Sequence, residues 1–115
     1  MDARQIMERS VALAQSKQAE DVVVLDMRTV TDMTDYFVIC TGTVDVHVKA
    51  ITDAIVDGLK EEGERALHLE GTERLHWVLI DYVDVVVHVF QPETRDFYDL
   101  EHLWGDAKRE KISTE

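Results

Sequence analysis

Two acidic side chains, Asp81 and Asp84, bracket a turn between apolar runs. Carboxylates gathered at a strand end are what phosphoryl or nucleotidyl transfer uses to hold a divalent cation. A pair aims at one ion when it occupies alternate strand positions, whereas these two lie three apart across a turn. The spacing favours turn formers. Thr41-Gly42-Thr43 stands between a strand pattern and a helix pattern, where backbone N–H groups could cradle a phosphate. It lacks the lysine of a Walker loop and the repeated glycines of a dinucleotide fingerprint. An ordinary strand-to-helix turn, capped by Thr43 or Asp45, is the preferred reading. A nucleotide-binding or nucleotidyl-transferring enzyme using Gly42, Asp81 and Asp84 is the alternative.

No two of His47, His68, His76, His88 and His102 share the spacing that puts two imidazoles on one helix face, so no metal site is expected. Nor is a cofactor. His88, inside a strongly apolar run, reads as a buried, hydrogen-bonded histidine or else as a contact residue on an open face. Cys40 has no second cysteine to pair with and reads as a small buried hydrophobe. Ser10, Ser16 and Ser113 stand in no nucleophile context, so no catalytic residue is assigned.

The aromatic residues are more suggestive. Trp77, Tyr82, Phe90, Phe97, Tyr98 and Trp104 all lie in the last third of the chain, and Trp and Tyr are favoured anchors of protein interfaces. Phe97 and Trp104 are expected in the core. Trp77 and Tyr82, at a strand start and a turn, are expected as exposed anchors.

These residues need a scaffold, and 115 residues with 45% hydrophobic content suit one domain with its own core. No window is long and apolar enough for a membrane span, and the first ten residues carry neither a secretory signal nor a transit pattern, so a cytoplasmic location is expected. Twelve Lys and Arg against 24 Asp and Glu leave a net charge of −12. Such a surface repels a phosphate backbone, so direct sequence-specific nucleic-acid binding is not expected, and it favours encounter with basic partners.

Hydrophobic periodicity predicts an amphipathic helix over residues 2–18 and a second over 45–62, ending before Gly63. Strands are predicted at 21–27, 36–41, 66–70, 77–80 and 84–90. The last of these is apolar on both faces and should be central. A short helical end is predicted at 95–104, within a domain over residues 1–106, followed by a charged mobile tail over 107–115. The result is a single α/β domain with a mixed five-stranded sheet and flanking helices, one sheet face incompletely covered.

Several segments together resemble the ribosomal silencing factor family, also called Iojap-like. They are Asp35-Tyr36-Phe37-Val38-Ile39, Thr41-Gly42-Thr43, Glu70-Gly71, residues 77–82 and 84–90, Arg95-Asp96-Phe97-Tyr98, and residues 100–104. In this order and spacing they are specific, and the match runs from about Ile6 to Asp106. The resemblance implies a nucleotidyltransferase-like fold without the catalytic carboxylates, and no enzyme. It implies binding to ribosomal protein uL14 of the large subunit, steric blocking of small-subunit association, repression of translation under nutrient limitation, and a homodimer in the free state. Carried over by motif, the contact surface would centre on Trp77, Asp81, Tyr82 and His88, with Glu70, Phe90, Arg95 and Tyr98 as neighbours. Two positions depart from the pattern: Val44 stands where a small polar residue is common, and Val83 where a hairpin glycine is common. A β-branched residue resists positive φ, so the turn presenting Tyr82 is expected to differ. A dimeric adaptor for another protein remains a third reading.

Overall fold

The computed structural model describes residues 1–112. Helix α1 (Ala3–Ser16) opens on a capping box: Asp2 accepts from the Gln5 backbone N–H at 2.8 Å, and the Gln5 side chain accepts from Asp2 N–H at 2.9 Å. Strands β1 (Glu20–Asp26) and β2 (Tyr36–Thr41) follow, then α2 (Asp45–Glu61). Next come β3 (His68–Glu70), β4 (Trp77–Asp81), β5 (Val85–Phe90), α3 (Pro92–Tyr98), α4 (Leu100–Leu103) and β6 (Lys108–Lys111). None of the described helices is long and apolar enough to cross a membrane.

The strands form one mixed sheet in the order β3-β4-β5-β2-β1-β6, in which only β2 and β5 run parallel. β5 lies between β4 and β2, as its two apolar faces require. Even-numbered β4 residues Val78 and Ile80 and odd-numbered β5 residues Val85, Val87 and Val89 face α1 and α2. On α2 the fully buried Val48, Ile51, Ile55 and Leu59 recur at helical spacing, each worth roughly 1.5–3 kcal/mol of apolar burial. Gly42 lets this helix start hard against the sheet, since a Cβ there would lie 2.8 Å from the Val48 backbone nitrogen.

Three expectations are corrected. The sheet gains a sixth strand where a charged mobile tail was expected over 107–115: Lys108–Lys111 pairs antiparallel with β1, and residues 113–115 lie outside the described residues. All four β6 side chains are exposed, so its place rests on backbone pairing, which hydrophobic patterning does not report. Second, neither Thr43 nor Asp45 caps α2. Val44 is the capping position and supplies no side-chain bond, while His47 Nδ1 accepts from the Thr43 N–H at 2.9 Å. Third, the helical end starts earlier, at Pro92, and breaks at Asp99, whose φ of 46° ends α3 and begins α4. Aspartate tolerates that left-handed conformation better than most residues.

Candidate functional site

Strand parity decides what the second face of the sheet displays. Across it run two rows of paired positions: His68, Asp81, Val86, Phe37 and Leu25 in one, and Glu70, Leu79, His88, Ile39 and Val23 in the other. Leu100 and Ala107 bury the β1 end, with Trp104 half-buried beside them. The β4 end stays open. There Phe37, Leu79, Val86, His88 and Trp104 line a groove of about 420 Å³, with Glu70 and Asp81 adding carboxylates. Met33, Leu67 and Val83 stand at the same groove with 85%, 62% and 51% exposure. This is the incompletely covered face expected from the element count.

A chain of rings extends the face along β4 and β5. Trp77 stacks on Phe90 at 4.9 Å and meets Tyr98 at 4.7 Å, and Phe37 meets His88 edge-on at 4.7 Å. The Trp77 indole N–H donates to His88 Nδ1 at 3.1 Å. His88 is 3% exposed, and burial pushes its imidazole down to about 4, so it is neutral near pH 7. Of its two sequence readings, burial with a hydrogen bond is the one the structure takes. Gly71 sets the spacing between this row and β3. Its φ is 85°, and a Cβ would fall 2.0 Å from the Trp77 carbonyl oxygen, so only glycine fits.

Of the eight residues carried over by motif, Trp77, Asp81, His88, Glu70, Phe90 and Tyr98 share this face. Phe90 is fully buried beneath Trp77. Tyr82 does not share it. Two positions beyond Ile80, it turns toward the helices, 7% exposed, with its hydroxyl buried, and burial first and Glu64 second push the phenol up to about 12. Its expected role as an exposed anchor is therefore corrected. The core expectation for Phe97 is also corrected: it is 80% exposed on α3, while Trp104 is half-buried. Arg95 is nearly buried and its guanidinium is engaged within the chain. It donates to the Asp21 carbonyl at 2.7 Å, to Thr41 Oγ1 at 2.8 Å and to both Glu101 oxygens. That clamp fastens α3 and α4 to the ends of β1 and β2.

The turn residues Asp81 and Asp84 do not converge. Asp81 Oδ1 accepts from the Val83 N–H at 2.7 Å, and the Tyr82 carbonyl accepts from the Asp84 N–H at 3.0 Å. Val83 has a φ of 74° at the centre of this tight turn, the conformation that glycine would adopt without strain. Among the described residues no group of three or more His, Cys, Asp or Glu could hold a metal ion. Cys40 is fully buried, and burial pushes its thiol up to about 12, which makes it inert. Phe37, Leu79, Val86 and Met33 went unassigned in the sequence, although the parity set by Trp77 and Asp81 would have found Leu79, and that set by His88 would have found Val86.

A family model described as "Ribosomal silencing factor during starvation" matches residues 1–115. The chain is 43% identical over 107 residues to the ribosomal silencing factor of Bacillus subtilis (strain 168), spanning 93% of this chain and 91% of that protein. It is 34% identical over 97 residues to the Mus musculus protein named mitochondrial assembly of ribosomal large subunit protein 1, spanning 82% of this chain and 42% of that protein. A crystal structure from Chromobacterium violaceum aligns with a TM-score of 0.89 at 35% identity, over 91% of this chain and 88% of that one.

Proposed function

The chain belongs to the ribosomal silencing factor family, and from that premise we propose that it represses translation by occupying the large ribosomal subunit rather than by catalysis. In this reading it binds ribosomal protein uL14 in the cytoplasm, and its bulk keeps the small subunit from joining when nutrients are short. The observation that carries the proposal is the open sheet face, where an apolar groove flanked by Trp77 and lined by the carboxylates of Glu70 and Asp81 stands uncovered. Apolar surface of this kind is the usual mark of a protein interface. Its acidic groups, on a chain of net charge −12, suit a basic ribosomal partner and hasten encounter more than they tighten the complex. The mouse relative is named for assembly of a ribosomal large subunit, which supports that choice of subunit.

Trp77, Leu79, Val86 and Tyr98 form the contact in this proposal, with Glu70 and Asp81 at its rim and His88 at its floor. Phe90 and Arg95 hold the face from below and behind. Tyr82 acts through packing, since it points to the helices. The free protein pairs with itself through the same face, so dimer and ribosome compete.

Co-sedimentation with purified large and small subunits tests this. The expected result is selective pelleting with the large subunit, lost in Leu79→Asp and accompanied by fewer joined ribosomes for the wild type. Equal pelleting with both subunits, or with neither, would overturn it.

A further inference from the structure

The floor of the groove contains a donor with nothing to donate to. Because Nδ1 of His88 accepts the Trp77 indole N–H, it carries no hydrogen of its own, and the neutral ring must keep its proton on Nε2. Nε2 is buried and has no partner among the described residues. Native interiors satisfy nearly all such groups, and one left open costs stability. Here it belongs to a residue that lines the groove proposed as a docking site, with half-buried Phe37 against the same ring.

We propose that His88 Nε2–H is the specificity-determining donor of this groove, and that it takes a neutral hydrogen-bond acceptor which the partner protein carries beside an apolar side chain. The acceptor is a main-chain carbonyl or a side-chain amide or hydroxyl oxygen. It is neutral because Glu70 and Asp81 line the same groove and repel a carboxylate or a phosphate. It comes with an apolar side chain because Phe37, Leu79, Val86 and Trp104 make up the rest of the lining. Lys or Arg neighbours in the partner segment would meet the two carboxylates. Nε2 is buried, so Phe37, edge-on to the same ring at 4.7 Å, yields as the acceptor enters. A partner that fills the groove with hydrocarbon alone leaves the donor unmet and is discriminated against, as sites built around a polar group reject analogues that lack its complement.

The inference rests on the docking proposal above, and its test keeps the two apart. Affinity for purified large subunits is measured for the wild type, His88→Asn and His88→Gln, each first checked for an unchanged fold. An asparagine oxygen takes the place of Nδ1 and keeps the Trp77 bond but puts no N–H at Nε2, whereas a glutamine amide reaches that position. The expected result is a loss of about tenfold in His88→Asn and recovery to within about threefold of wild type in His88→Gln. Equal losses in both variants, or no loss in His88→Asn, would overturn the inference while leaving docking intact. A wild type that does not bind would overturn both. Imidazole ¹⁵N resonances of the free wild type need no variant: a proton on Nε2 and a bare Nδ1 are expected, and the reverse would sink the inference before any partner is added.

Discussion

Arg95 meets Glu101 through two donations, Nε to Oε1 at 3.3 Å and Nη2 to Oε2 at 3.1 Å, across the break between α3 and α4. Both side chains are largely buried, and Nη1 is simultaneously tied to β1 and β2. Four elements therefore share one guanidinium. Arg95→Ala leaves a carboxylate, a carbonyl and a hydroxyl without their partner, and it should cost about 3 kcal/mol. Arg95→Lys keeps the charge without the fork and should recover less than half of that. Urea unfolding of the three proteins measures both.

The buried imidazole of His88 makes stability depend on pH. Its folded value, about 4, lies below the ordinary 6.5, so the unfolded chain binds the extra proton first. The contribution is complete above pH 6.5 and is lost as pH falls toward 4, a change of about 3 kcal/mol. Asp26, held low by its hydrogen bonds with Arg28, adds a loss only in more acid solution. Denaturant titrations at intervals from pH 7 to 4 should show the slope in the wild type and a much flatter curve in His88→Gln.

Val83 holds a φ of 74° with half its surface in water, so a substitution there changes strain more than packing. Val83→Gly should stabilise the hairpin by about 1 kcal/mol, relief of the left-handed penalty outweighing the added chain entropy. Calorimetric melting temperatures check the sign. A lower value for the glycine variant would show that Val83 contributes packing at the groove that outweighs its strain.

Gly71→Ala should be severe. The new methyl meets the Trp77 carbonyl at a distance that no packing shift absorbs, and the residue also sits at a φ of 85°. A loss of about 3 kcal/mol or more is expected from overpacking and strain together. Exchange of the β3–β4 amide hydrogens should quicken, as the Leu69–Ile80 and Glu70–Leu79 pairs come apart.

Patterning made most of the sheet legible. DVVVHVF is apolar at successive positions, the pattern of a strand inside the sheet, and β5 lies there between β4 and β2. The helices are legible from the spacing of Val48, Ile51, Ile55 and Leu59 and of Ile6, Met7, Ser10 and Ala14. What failed was the assignment of individual aromatics to core or surface. Tyr82 stands at a turn, but it keeps the parity of Val78 and Ile80 through Asp81, and parity outranks proximity to a loop. Phe97, expected in the core, lies outside it because helix α3 turns the opposite side, with Arg95, inward. Burial of an arginine has no compositional signature, because it depends on Asp21, Thr41 and Glu101 arriving from three separate elements. The open face was legible as an element count; its groove was legible only once register placed Phe37 beside Val86.

Because β6 comes from the far end of the described chain and pairs with β1, the β1 edge stays bare during synthesis until residues 108–111 have emerged from the ribosome. Through that interval the nascent chain offers a row of free backbone donors and acceptors beside Val23 and Leu25, the sort of edge that recruits stray strands. Once β6 arrives, Lys108, Arg109, Glu110 and Lys111 turn the same border into a charged one that no passing strand extends easily. Aggregation risk at this border is thus concentrated in the incomplete sheet and lowered by the strand that closes it.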